Sequence, residues 1–191
     1  MNTTASRGAA LFKALLRAVL WPLFRVRVTG DVSVLNNERT LIVANHESFL
    51  DGALLGAFLP VNAVFVVHAQ VLTKWYFRWL LRFVPHLAVD STSPLSIKII
   101  CRLVETGTPV VIFPEGRLTI TGSLMKVYDG AAFVAAKTGA TVVPVRIEGA
   151  GRTYFGRLAG IYPLKLFPRI RIAIQPRRHI PMPALPSTKR I

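Results

Sequence analysis

The residues with spacing suited to chemistry lie in LIVANHESFLDG, residues 41–52, where an apolar run ends at Asn45 and a helical pattern begins. His46 ends the run, and Asp51 follows five positions later, about one turn into the next helix. A carboxylate placed there can fix the imidazole tautomer and stabilise the imidazolium that forms when the ring takes a proton. That pairing describes a general base for a hydroxyl group, typically worth ~10²–10⁴ in rate. The same residues also admit a plainer reading. Ser48 and Asp51 have the S-x-x-[DE] spacing of a capping box, and His46 can be a satisfied strand-end histidine.

A second stretch, FPEGR at 113–117, follows the buried run PVVIF. Arg117 offers a planar fork of donors suited to phosphate, and Gly116 permits a tight turn with close backbone approach. Glu115 either orients Arg117 or meets a polar headgroup, and a turn closed by an ion pair is the alternative. A histidine base and an arginine anion site on neighbouring strands together point to transfer onto a hydroxyl of a phosphate-bearing molecule. Other chemistries fail on spacing. HESFL has Leu50 where a zinc-protease helix needs its second histidine, and His68, His86 and His179 lack metal-ligand spacing. There is no G-x-S-x-G elbow, Walker A loop, G-x-G-x-x-G or Cys-x-x-Cys. No metal and no cofactor is implied.

The elements that must position these residues alternate. The apolar residues from Leu11 to Phe24 recur at helical spacing, with Lys13 and Arg17 together on another face and Trp21 and Pro22 ending the run. FRVRVTG (24–30) alternates as a strand, and TLIVANH is a continuous apolar strand of the kind buried on both faces. A helix from about Phe49 and a strand AVFVV come next. The stretch 72–83 reads as a helix with basic and aromatic stripes side by side, fit for either a core or a lipid headgroup zone. Pro94 opens a helix that Gly107 stops, with Cys101 as a structural thiol on or near its apolar face. A further helix ends at Gly139, ATVVPVRIEG is a strand, and RIRIAI (169–174) reads as a final, more exposed one. The expected fold class is α/β, a single domain with a mostly parallel mixed sheet covered by helices. The expected organisation is an amphipathic basic helix at 1–28, the α/β domain at 29–176 and a basic, Pro-rich tail at 177–191.

Composition narrows the partners. The 191 residues are 52% hydrophobic and 17% charged, yet no run reaches the ~18 apolar residues of a spanning helix. The net charge of +15 lies in the flanks. All nine acidic residues fall between Asp31 and Glu148, whereas five basic residues precede that segment and nine follow it. Such a chain wants an anionic partner. The basic amphipathic helix either packs on its own domain or lies in a membrane interface, where each cation near anionic lipid adds roughly 1 kcal/mol. No nucleic-acid recognition motif is present. A single cysteine fits a reducing compartment.

NHESFLD resembles the N-H-x-x-x-x-D block of the glycerolipid acyltransferases, the family of 1-acylglycerol-3-phosphate acyltransferases. VIFPEGR resembles their F-P-E-G-[TRS] block, and VVPVRIEG their V-P-V-x-I-x-G strand, in family order over roughly residues 25–180. The resemblance implies that His46, oriented by Asp51, deprotonates a glycerol hydroxyl that attacks an acyl thioester directly. It implies that Glu115, Gly116 and Arg117 hold the acceptor's phosphate, with Asn45, Ser48, Phe113 and Pro114 as further substrate contacts. Many members carry an arginine in a block [IV]-x-[IV]-[DE]-R, where this chain has Ser91 in LAVDSTSP. One cation fewer favours a phosphodiester acceptor such as lysophosphatidylethanolamine. Longer stretches, among them VIFPEGRLTITGSLMKVYDGAAFVAAKTGATVVPVRIEGA, resemble the N-terminal acyltransferase part of bacterial bifunctional 2-acylglycerophosphoethanolamine acyltransferase/acyl carrier protein synthetases. The expectation is a lysophospholipid acyltransferase at the cytoplasmic face of the bacterial inner membrane. Its donor would be a thioester of acidic acyl carrier protein or of coenzyme A, with a synthetase domain possible beyond this chain. A lysophosphatidic acid acyltransferase and a non-catalytic basic module are the alternatives.

Overall fold

The computed structural model describes residues 3–75, 78, 81–82, 84–90, 93–158 and 160–182. Helix α1 (Thr3–Phe24) leads through β1 (Arg27–Thr29) to β2 (Thr40–Ala44) and α2 (Asp51–Phe58). Strands β3 (Val64–His68) and β4 (His86–Val89) precede α3 (Pro94–Glu105) and β5 (Val110–Ile112). Helix α4 (Gly130–Thr138), β6 (Thr141–Glu148), β7 (Arg171–Ile174) and β8 (Arg178–His179) complete the order.

Among the described residues the sheet has eight strands in the order β1-β7-β6-β2-β5-β3-β4, with β8 pairing β6 beyond the end of β7. The contacts β1–β7, β2–β5, β2–β6, β3–β4 and β3–β5 are parallel, whereas β7 and β8 run antiparallel to β6. The sheet is therefore mostly parallel and mixed, as expected. Side chains alternate across a strand, so a strand covered on both faces must be apolar throughout. In β2, Ile42 and Ala44 face the core shared with α1 and α2, and Leu41 and Val43 face the one shared with α3 and α4. Helix α2 is apolar almost all round because it lies between the sheet and α1, with Ala53, Leu54, Leu55 and Ala57 buried.

Three expectations need correction. RIRIAI forms an inner strand, with Ile172, Ala173 and Ile174 buried, because β1 pairs along its far side and takes the edge. Only the start of the expected 72–83 helix differs, being a 3-10 turn, Ala69–Thr73, capped by the His68 ring accepting from the Gln70 N–H at 3.2 Å. Trp75, Arg78 and Leu81 are helical as expected. Tyr76, Phe77, Trp79, Leu80 and Phe83 of that stretch, and Ser91, lie outside the described residues. The sheet also takes in Arg178 and His179, past the position where the tail was expected to begin.

Helix α1 runs through Pro22 to Phe24 and packs on α2, burying Leu20 and Phe24. Lys13 and Arg17 point toward α2. Lys13 Nζ donates to the Leu59 carbonyl at 2.6 Å, and Arg17 donates twice to the Ala57 carbonyl, at 2.7 and 3.1 Å. These carbonyls lie at the C-terminal end of α2, where orphan acceptors and the negative pole of the helix call for cations. Leu11, Leu15, Val19 and Trp21 are left exposed on the outside.

Candidate active site

Strands β2 and β5 end together at the carboxyl edge of the sheet, and β6 runs on beside β2 as far as Glu148. Val43 of β2 lies opposite Ile112 of β5, and Ala44 lies opposite Val145 of β6. Sites in open α/β sheets form at such edges. Past Ala44 the Asn45 side chain takes over the ladder, its Nδ2 donating to the Ile147 carbonyl at 2.9 Å and its Oδ1 accepting from the Ile147 N–H at 2.7 Å. The backbone turns away after that rung, and His46 stands at the turn.

His46 Nδ1 lies 2.9 Å from Asp51 Oδ2. The same oxygen accepts from the backbone N–H groups of Glu47, at 2.7 Å, and Ser48, at 2.9 Å. Asp51 thus faces the imidazole and also closes the turn before α2. The capping box is only half formed, because the helix begins after Leu50 and the Ser48 hydroxyl accepts from the Leu50 N–H instead of that of Asp51. With Nδ1–H donated to the carboxylate, Nε2 is the basic nitrogen, an assignment that follows from the hydrogen-bond pattern. Asp51 is fully buried, and its Oδ1 has no hydrogen-bond partner among the described residues. Burial pushes its carboxyl pKa up, against the pull of the His46 hydrogen bond. The imidazole itself remains open, with its side chain 22% exposed, and stacks on Phe113 with ring centroids 4.3 Å apart.

The turn after β5 grips His46 by its own backbone. Buried Glu115 accepts from the His46 N–H at 3.1 Å and from the Met125 N–H at 3.2 Å, while the Thr119 N–H donates to the His46 carbonyl at 2.8 Å. Gly116 has a φ of +63°, a left-handed conformation that favours glycine, and a Cβ there would also crowd the Tyr128 ring at 3.3 Å. Arg117 is exposed between these two anchors. Two residues of chain span at most about 7 Å, so Arg117 stays close to the base.

His46 and Asp51 are thus brought together, Phe113 supports the ring, and Gly116 and Arg117 face solvent. The other expected substrate contacts point into the protein. Asn45 extends the sheet, and the buried Ser48 hydroxyl bonds the Leu50 N–H and pairs with Thr153 Oγ1. Pro114 is buried, with its carbonyl accepting from the Tyr128 N–H, and Glu115 ties two loops together instead of orienting Arg117. In the structure these four hold the turns together, and for Ser48 and Glu115 the reason is that a buried polar group must find a partner inside the fold. Cys101 is buried, and burial pushes its thiol pKa up, which suits a structural side chain. No group of three or more His, Cys, Asp or Glu side chains suited to a metal occurs among the described residues.

One neighbour of the site was not foreseen. The turn after β6 is latched to residues 47–49 from the side opposite the 113–119 turn. The Gly151 N–H donates to Glu47 Oε2 at 3.1 Å, Ser48 pairs with Gly156 as an isolated antiparallel bridge, and the Phe49 N–H donates to the Phe155 carbonyl at 3.1 Å. Burial raises the pKa of Glu47, with the Gly151 hydrogen bond opposing it. The available signal was EGAGRTYFGR, where Gly–Arg pairs follow a buried strand as they do in PEGR.

A histidine oriented by a buried carboxylate, with an exposed arginine on the turn that grips its backbone, stands at the carboxyl edge of a helix-covered mostly parallel sheet. The arrangement is able to take a proton from a hydroxyl. Comparison with known proteins narrows this chemistry. Residues 25–148 match the Acyltransferase family, and the chain belongs to it. It is 29% identical over 141 residues to a chloroplastic 1-acyl-sn-glycerol-3-phosphate acyltransferase of Arabidopsis thaliana, an alignment covering 70% of this chain and 38% of that protein. It is 34% identical over 129 residues to a lyso-ornithine lipid O-acyltransferase of Pseudomonas aeruginosa, covering 65% and 48% respectively. The chain thus spans under half the length of these relatives. The fold is that of the 1-acyl-sn-glycerophosphate acyltransferase PlsC from Thermotoga maritima, with a TM-score of 0.69 at 20% identity over 90% of this chain and 68% of that one.

Proposed function

We propose that this chain is a glycerolipid O-acyltransferase that esterifies the free hydroxyl of a lysophospholipid from an acyl thioester. The observation that carries the reading is the grip of the 113–119 turn on the His46 backbone, which keeps a phosphate-binding cation beside an oriented base. Nε2 of His46 takes the hydroxyl proton as the oxygen attacks the thioester carbonyl. Collapse of the tetrahedral adduct breaks the C–S bond, and the imidazolium returns its proton to the departing sulfur, leaving ester and thiol. Asp51 stabilises the transient imidazolium through Oδ2, which the Glu47 and Ser48 N–H groups hold in place.

Sequence reasoning ranked lysophosphatidylethanolamine first as acceptor. The relatives carrying the name 1-acyl-sn-glycerol-3-phosphate acyltransferase support the other order, and we take 1-acylglycerol-3-phosphate as the preferred acceptor. Both donors considered, acyl carrier protein and coenzyme A thioesters, are anionic and suit the cationic flanks. A carrier-bound donor, with a synthetase to charge the carrier, belongs to the same proposal. Placement at a membrane surface, on the cytoplasmic face of a bacterial inner membrane, draws support from the outward stripe of Leu11, Leu15 and Val19 and from exposed Leu124, Tyr154 and Leu166. No helix among the described residues is long and apolar enough to cross a membrane.

The test crosses both donors with 1-acylglycerol-3-phosphate, lysophosphatidylethanolamine and no acceptor. Transfer is expected with the phosphate monoester as best acceptor, and His46→Ala should lower the rate by ~10³ or more with folding intact. Hydrolysis of the thioester alone, or an unchanged rate in the variant, would refute the reading. Converting Leu11, Leu15 and Val19 together to Ser should weaken binding to phospholipid vesicles without lowering Tm. Undiminished vesicle binding would remove α1 from the membrane surface.

A further inference from the structure

Strands β5, β2 and β6 lie side by side in the middle of the sheet, and His46 follows the central one. Both flanking turns carry arginines directly after glycines: Gly116–Arg117 after β5, and Gly151–Arg152 and Gly156–Arg157 after β6. The turn after β6 is closed on itself. A Cβ on Gly156 would lie 2.5 Å from the Gly151 carbonyl oxygen, and one on Gly151 would lie 2.7 Å from Leu158 and 3.4 Å from Glu47. The two glycines are in contact, so Arg152 and Arg157 each start one residue from the same point. That point is fastened to residues 47–49 by the Gly151–Glu47 hydrogen bond and the Ser48–Gly156 bridge, a pairing that sets Cα atoms roughly 5 Å apart.

The guanidinium groups are held by rings. Arg157 Cζ lies 5.9 Å from the centroid of Phe49, a residue of the His46 loop. Arg152 Cζ lies 5.6 Å from that of Tyr162, whose ring covers Gly122 in the loop that bonds the His46 carbonyl through Thr119. Stacking leaves the N–H edges of a guanidinium available to an anion. Among the described residues neither arginine has a carboxylate partner, whereas Arg146 and Arg171 share Glu148 at 3.0 and 2.9 Å. Both are exposed.

We propose that Arg152 and Arg157, on the turn after β6, form the second half of the acceptor's phosphate site, facing Arg117 across His46. They provide the positive charge that Ser91 does not, and so set a preference for a phosphate monoester over a zwitterionic diester. Two further cations favour the more highly charged ligand, and Arg forks suit phosphate oxygens. The inference rests on the acyl-transfer reading above and adds the residues that select the acceptor.

The full chain, the double variant Arg152→Gln/Arg157→Gln and the charge-preserving Arg152→Lys/Arg157→Lys are compared in neutral detergent micelles, so that anionic lipid does not contribute. For 1-acylglycerol-3-phosphate the glutamine pair should raise KM about tenfold or more with kcat within threefold, and the lysine pair should raise it less. KM for lysophosphatidylethanolamine should stay within threefold. Equal losses on both acceptors, or no loss, would overturn the proposal. So would a loss that appears only on anionic vesicles, which would assign the arginines to the membrane surface. A second measurement stands apart from activity. Glycerol 3-phosphate, titrated by NMR into the full chain, should bind about tenfold more weakly to the glutamine pair and equally to His46→Ala. If no lysolipid is acylated by any variant, the acyl-transfer reading fails, and this titration still decides the site. Equal binding by wild type and glutamine pair would dismiss it.

Discussion

Asp51 is fully buried, and three N–H groups converge on its Oδ2, whereas Arg117, held within two residues of His46's own hydrogen bonds, is exposed and has no carboxylate partner among the described residues. The histidine half of the site is over-determined, since the ring is fixed by Asp51 while the His46 backbone is fixed by Glu115 and Thr119. The arginine half is positioned by its backbone while its head is left solvated. The difference matches the two tasks proposed for them. Stabilising a charge that exists only in the transition state needs dipoles fixed in advance. Binding a charged ground-state ligand needs a cation whose hydration can be exchanged for phosphate.

Breaking the buried half should have the largest consequence. In Asp51→Asn the amide oxygen can occupy the Oδ2 position and keep all three hydrogen bonds, so the ring stays in place and only the negative charge is lost. A fall in kcat of ~10²–10⁴ is expected, with Tm changed by no more than a few degrees. Near-normal turnover would show that the carboxylate is a cap and nothing more. Arg117→Ala tests the open half and should raise acceptor KM about tenfold with a smaller change in kcat. The reverse pattern would move Arg117 into the transition state and erase the contrast. The smallest effect concerns pH. Burial raises the Glu47 pKa above its ordinary 4.5, so the folded state holds this proton more tightly than the unfolded chain. Its contribution is present below pH 4.5 and is lost as pH rises through the folded value. Glu47→Gln keeps an acceptor for the Gly151 N–H and should make Tm fall less steeply with rising pH above 4.5. An unchanged slope would show that Glu47 is solvated in the folded state.

Helices α1 and α3 show why part of the fold was legible and part was not. Both are amphipathic in sequence. In α3, Ile100, Cys101 and Val104 are buried while Lys98 and Arg102 stay outside, as a hydrophobic stripe predicts. In α1, Lys13 and Arg17 turn toward α2 and Leu11, Leu15 and Val19 turn away. Periodicity identifies both helices and cannot say which face is inside, because that depends on what the neighbour lacks. Here the neighbour is the end of α2, with carbonyls at Ala57 and Leu59 awaiting donors. Strand β7 makes the same point, since arginines at alternate positions look like an exposed face until β1 pairs beside it.

The site divides along the same line. The His46–Asp51 pair was readable because its partners are five residues apart and the turn that joins them is local. The partners of Glu115, the N–H groups of His46 and Met125, were not readable because they lie 69 and 10 residues away and carry no side-chain signature. The latch of the turn after β6 onto residues 47–49 was hidden for the same reason.

Local sequence alone determined the elements, the parallel character of the sheet and the base with its carboxylate, since all of these follow from near-neighbour spacing and the burial pattern of single segments. Only the tertiary structure decided which polar side chains tie the loops together, which way α1 faces and which turns flank the histidine. Those outcomes depend on backbone hydrogen bonds between segments far apart in the chain, and every residue type carries the same backbone groups.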